Sequence, residues 1–111
     1  MANLSPESVL ETIATYKKYG WMLRRLLLSE LSRNALRNKL GEDVPVHVAD
    51  IDAAWFSRPP GVGPVAWELR YLGEMQYALV EHIDESSPDF ENGLRGVESR
   101  LASAVAHRGD A

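Results

Sequence analysis

Asp52, Arg58, Glu68, Arg70 and His82 are the side chains of this 111-residue chain whose types and spacing could do chemistry, and all lie between Asp50 and Asp84. The guanidinium forks of Arg58 and Arg70 suit a carboxylate or another anion, which they can grip through two parallel hydrogen bonds. His82 could move a proton or hold a metal. The simplest use of the set is structural: Asp52 paired across strands with Arg70, and Glu68 beside it. Such exposed pairs contribute roughly 0.2–1 kcal/mol each.

A catalytic use can be weighed against the residues. An aspartate followed on the next strand by Glu-x-basic is a pattern by which nucleases hold Mg²⁺ for phosphodiester hydrolysis. Here the segment reads Glu68-Leu69-Arg70, and arginine stays protonated where a base would be needed. His47, His82 and His107 have no second histidine at helical or turn spacing, so no metal site or cofactor is expected. No Gly-x-Ser-x-Gly is present, and Gly61-Val62-Gly63 is too short to cradle a phosphate. Cysteine is absent, which removes thiol nucleophiles, disulfides and thiolate-bound metals together. The balance leans away from an enzyme and leaves a binding role.

Charge offers a second candidate surface. Residues 1–48 hold seven Lys/Arg against five Asp/Glu, and the remainder five against eleven, within a net charge of −4. Lys17, Lys18, Arg24, Arg25, Arg33 and Arg37 form a basic run that could meet an acidic partner or nucleic acid if they converge on one face. The structural alternative is that this run neutralises the acidic half, within one fold or across a homodimer.

The elements that must position these residues are legible in outline. Ser5-Pro6-Glu7 and Ser87-Pro88-Asp89 each offer a serine cap, proline at the first helical position and an acid at the positive end of a helix. The first helix carries Val9, Ile13 and Tyr16 on one face and stops at Gly20 after two lysines. The last carries Phe90, Leu94, Val97, Leu101 and Val105, an amphipathic stripe. Its Gly93 and Gly96 suggest close packing on a sheet. Trp21–Ser29 has no polar helical face, so it reads as a strand at about 21–28 covered on both sides. Its alternation places Trp21, Leu23 and Leu27 on one face and Met22, Leu26 and Leu28 on the other. Leu31, Ala35, Leu36 and Leu40 suggest a short helix ending at Gly41. Glu42–Ala49 reads as a connection, with Pro45 arguing against a central strand.

Residues 50–84 read as a three-strand antiparallel meander, turning at Pro59–Pro64 and at Gly73-Glu74-Met75. The second turn predicts that Tyr71 faces Tyr77, Leu69 faces Leu79, Trp67 faces Glu81 and Ala66 faces His82. The first predicts Trp55 opposite Trp67, Ala54 opposite Glu68 and Asp52 opposite Arg70. One face then gathers Trp55, Val65, Trp67, Leu69, Tyr71, Tyr77, Leu79 and Ile83, as a core for the last helix. The other gathers Asp52, Glu68, Arg70 and His82 among Ala54, Ala66, Ala78 and Val80.

The expected fold is α+β, one domain over residues 1–111 in the order α-β-α-β-β-β-α, with helices mainly on one sheet face and ends at 1–4 and 108–111 frayed. Residues 30–107 share the element order of double-stranded-RNA-binding domains, which grip phosphates at the start of their last helix. Here that position reads Asp84-Glu85-Ser86-Ser87-Pro88-Asp89, which repels phosphate and argues against nucleic acid. Apolar runs fall far short of the ~20 residues that span a bilayer, and no basic, apolar leader opens the chain. The expectation is a cytoplasmic, non-catalytic protein that binds a protein partner, itself in a homodimer among the candidates.

Overall fold

A computed structural model describes residues 6–36, 44–59, 65–73 and 77–109. Helix α1 spans Pro6–Lys18, with Pro6 as its first helical residue and Lys17 and Lys18 in its last turn. It stops as the sequence predicts. Gly20 adopts a left-handed φ of 88°, its N–H donates to the Lys17 carbonyl at 3.1 Å, and Trp21 N–H donates to the Tyr16 carbonyl at 2.9 Å. These two bonds make a Schellman cap, and glycine avoids the Cβ clash that φ would otherwise impose.

The chain continues through β1 (Met22–Leu28), α2 (Glu30–Leu36), β2 (Val46–Val48), β3 (Ala53–Arg58), β4 (Ala66–Tyr71), β5 (Ala78–His82) and α3 (Phe90–Gly109). The α+β architecture, the strand at 22–28 and the antiparallel meander stand. The sheet has five strands in the order β2-β1-β3-β4-β5, one more than expected. The addition is β2, parallel to β1, within the segment expected to be a connection. Pro45 does not prevent this, because β2 is an edge strand and the proline lies just outside it, offering its carbonyl to Leu26 N–H at 2.9 Å. Met1–Ser5, Arg37, Leu40, Gly41, most of both expected meander turns and the last two residues lie outside the described residues.

Helix α3 begins two residues later than the serine-proline signal suggests. Ser87 caps a turn instead: its hydroxyl accepts Asp89 N–H at 3.2 Å and its carbonyl accepts Phe90 N–H at 3.1 Å. Nor are Gly93 and Gly96 explained by tight packing. Both are exposed; a Cβ on Gly93 would lie 3.9 Å from Ile83, and one on Gly96 would meet nothing within 4 Å.

Register separates the two hairpins. The second matches expectation, with Ala66 opposite His82, Trp67 opposite Glu81 and Leu69 opposite Leu79. In the first the partner is displaced by two residues, so Trp55 faces Leu69, Ala54 faces Arg70 and Ser57 faces Trp67. A displacement of two preserves which residues share a face but separates Asp52 from Arg70. In β1 a bulge between Leu23 and Arg25 breaks the alternation. Leu23 joins Trp21, Leu26 and Leu28 on one face, while Arg24, Arg25 and Leu27 take the other.

Helices cover both faces of the sheet, not mainly one. On one side Leu94, Val97 and Leu101 of α3 pack on Leu27, Ala53, Trp55, Trp67 and Leu69. On the other, Val9, Ile13 and Tyr16 of α1, with Leu36 of α2, pack on Leu26, Leu28, Ala54 and Phe56. Tyr16 stacks on Phe56 with ring centroids 4.0 Å apart. Each side thus receives an apolar stripe, and burying a large apolar side chain fully contributes about 1.5–3 kcal/mol.

Candidate functional site

The face predicted to be polar is the face on which α1 rests, and α1 covers only part of it. Val9, Ile13 and Tyr16 sit over β1 and β3. Over β4 and β5 the side chains of Ala66, Glu68, Arg70, Ala78, Val80 and His82 share the remaining surface. Val80 is 51% exposed there, a large apolar side chain in the middle of an outer strand.

Where α1 meets this open surface there is a cleft of about 270 Å³ lined by Ser8, Glu11, Thr12, Thr15, Tyr16 and Arg70. The Tyr16 hydroxyl donates to Glu68. Burial first, and then the bonded Glu68 carboxylate, push the Tyr16 hydroxyl far above its usual value, against the opposing influence of nearby Arg70. Arg70 uses Nε to hold the Tyr71 carbonyl at 3.1 Å. Thr12 and Thr15 donate to carbonyls one turn back in their own helix, at 3.0 and 2.9 Å. Sequence reasoning assigns none of these α1 residues to a site, because it does not place α1 on this face. A signal was present: Tyr16 ends an apolar stripe, and a part-buried tyrosine hydroxyl needs a polar partner.

Glu68, Arg70 and His82 therefore share one open surface, with Glu68 bonded to Tyr16 and Arg70 lining the same cleft as that tyrosine. Asp52 and Arg58 lie elsewhere. Asp52 Oδ1 accepts Ser29 N–H at 2.8 Å and Oδ2 accepts the Ser32 hydroxyl at 2.8 Å. Ser29 also caps α2, its oxygen accepting Ser32 N–H at 3.3 Å. Asp52 thus ties the start of α2 to the sheet. Arg58 lies over the Trp21 ring, 4.8 Å from its centroid, and donates to the Tyr19 carbonyl at 3.4 Å. It places a cation at the negative end of α1.

Among the described residues the basic run does not gather on one face of the sheet. The bulge sends Arg24 and Arg25 to the α3 side, where Arg24 makes paired hydrogen bonds of 3.1 and 3.3 Å with Glu85 and Arg25 two of 3.1 Å with Glu91. The hydrogen-bonded Arg25 fork holds the Glu91 carboxyl below its usual range. Lys17 and Lys18 are exposed at the end of α1, and Arg33 is exposed on α2. Arg24 and Arg25 are thus each paired with an acid of the acidic half.

The sheet edges differ. Tyr71 N–H donates to the Tyr77 carbonyl at 2.8 Å and Ile83 N–H to the Val65 carbonyl at 3.3 Å. Antiparallel pairing alternates, so Leu79 and Glu81 also bond inward to β4, while Ala78, Val80 and His82 direct N–H and C=O outward. Among the described residues no strand pairs with that outer side. The opposite edge, β2, has three residues and follows Pro45, and short strands and prolines blunt an edge. β5 has neither lysine nor proline.

Among the described residues no helix is long and apolar enough to cross a membrane. No group of three or more His, Asp or Glu among them is placed to hold a metal ion. The chain matches no protein-family model, no curated protein and no solved structure.

Proposed function

We propose that this chain is a small non-catalytic binding protein that receives a partner polypeptide as an added strand along β5. The observation that carries the reading is the outer side of β5, where Ala78, Val80 and His82 present backbone donors and acceptors beside an exposed apolar side chain. Main-chain hydrogen bonds supply affinity in strand addition, and alternate side chains supply selectivity. A cytoplasmic setting belongs to the same reading, since a chain without cysteine needs no oxidising compartment.

A photo-crosslinking amino acid at position 80, with one in place of exposed Ser99 on α3 as control, tests it in a lysate. The expected result is a discrete polypeptide adduct at position 80 that is absent at the control position. Equal, diffuse labelling at both positions would overturn the reading.

The cleft beside α1 favours a second reading, a small carboxylate held by Arg70. It ranks lower on charge. Glu11 lines the same cleft and Glu68 is bonded to its tyrosine, so two carboxylates oppose one guanidinium and repel an incoming anion.

A further inference from the structure

We infer that the strand added to β5 is the β5 of a second copy, antiparallel across a two-fold axis at Val80. The inference rests on the strand-addition reading and names its occupant. It follows from the order of side chains along the edge. With the axis at Val80, every residue of β5 gains a partner: Val80 meets Val80, Ala78 meets His82, and Leu79 meets Glu81. No like charges then stand opposite each other, and the exposed apolar side chain covers itself.

Other symmetric registers do less well. An axis at Glu81 sets two carboxylates directly opposite, which is destabilising. An axis at Leu79 moves His82 off β5 and places Glu81 opposite Tyr77. The axis at Val80 also leaves Glu81 free to keep its 2.7 Å ion pair with Arg100 of α3. A two-fold contact presents the same patch on both subunits, so self-complementarity of this kind is what such an interface requires.

Pairing would set the two open half-faces side by side, four strands wide, between the two α1 helices. A five-residue strand pair alone buries less than the ~1,200 Å² usual for a stable interface, so the dimer is expected to dissociate on dilution.

Sedimentation of the full chain over a concentration series, together with two variants, decides the matter. Val80→Pro removes an N–H that points outward and leaves the ladder to β4 intact, so it is expected to sediment as a monomer with unchanged circular dichroism. Val80→Cys introduces the chain's only thiol. Across a hydrogen-bonded antiparallel pair its Cα would lie ~5.5 Å from its symmetry mate, within disulfide reach. Mild oxidation is expected to link it about tenfold faster than Ser103→Cys on the exposed side of α3, because the paired thiols meet at high effective concentration. Should Val80→Pro misfold, the wild-type series and the Val80→Cys rate still decide. Wild-type protein that stays monomeric up to its solubility limit, or a dimer in which Val80→Cys links no faster than the control, overturns the inference. A monomer that still forms a position-80 adduct with another polypeptide overturns the self-pairing alone. A monomer with no such adduct overturns the strand-addition reading as well.

Discussion

Trp55→Ala is expected to destabilise the fold by about 3–5 kcal/mol, the range for deleting a large aromatic side chain from a packed core. Trp55 is fully buried. It faces Leu69 on β4, meets Trp67 edge-on with centroids 6.0 Å apart, and donates its indole N–H to Glu98 of α3 at 2.8 Å. Truncation therefore removes the ring from the α3 side of the sheet and cuts a polar tie between sheet and helix. Domains of this size are stable by only about 5–15 kcal/mol, so the variant should lose much of its native population on modest heating. Thermal denaturation followed by circular dichroism measures this. Trp67→Phe provides the contrast. Trp67 is as deeply buried, but its indole N–H has no hydrogen-bond acceptor among the described residues. Losing an unsatisfied donor offsets part of the lost area, so this variant should cost clearly less. A Trp55→Ala cost below about 1 kcal/mol would contradict the assignment of Trp55 to the centre of that core.

The second large effect is expected from Asp52→Ala, at about 2–4 kcal/mol, and it separates a structural aspartate from a ligand-binding one. Asp52 accepts from Ser29 N–H and from the hydroxyl of buried Ser32. Without the carboxylate two donors at the start of α2 lose their partner, each costing roughly 1–3 kcal/mol where buried. The favourable placement of a negative charge at a helix N-terminus is lost too. Asp52→Asn keeps an acceptor and should cost about half as much. Denaturant unfolding measures both variants. Wild-type stability in Asp52→Ala would mean that Asp52 does not tie α2 to the sheet.

These two residues show what can be read from the sequence and what cannot. Alternation alone assigns Trp55 to the core, because strand periodicity is a local property and a register displaced by two residues does not disturb it. The second hairpin is legible to the residue because its connection is short. The longer first connection leaves the register open, and with it the fate of Asp52. Nothing local couples Asp52 to Ser29 and Ser32; that contact exists only once β1 and β3 lie side by side. The bulge at Arg24 and Arg25 is hidden for a similar reason. It inserts one residue into a pattern whose period looks regular, and it turns two expected members of a basic surface into partners of Glu85 and Glu91.

The candidate surface is half legible. Glu68, Arg70 and His82 are expected on one face and are there, flanked by the small residues Ala66 and Ala78. The expectation that helices gather on the opposite face leaves the role of α1 unseen. Ala54 is the missed clue. An alanine beneath Val9 and Tyr16 lets a helix approach the sheet closely, and Ala54 is fully buried there. The open surface exists because α1 covers the β1–β3 half and nothing among the described residues covers the other.

The central claim is that the outer side of β5 is a pairing surface, and amide hydrogen exchange tests it most directly. In dilute protein Leu79, Glu81 and Ile83 should be protected by their bonds to β4, while Ala78, Val80 and His82 exchange freely. On concentrating the protein, or on adding a polypeptide recovered at position 80, protection should appear at those three outward amides and little elsewhere. Outward amides that exchange freely under every condition, or that are already protected at the highest dilution, would contradict the account.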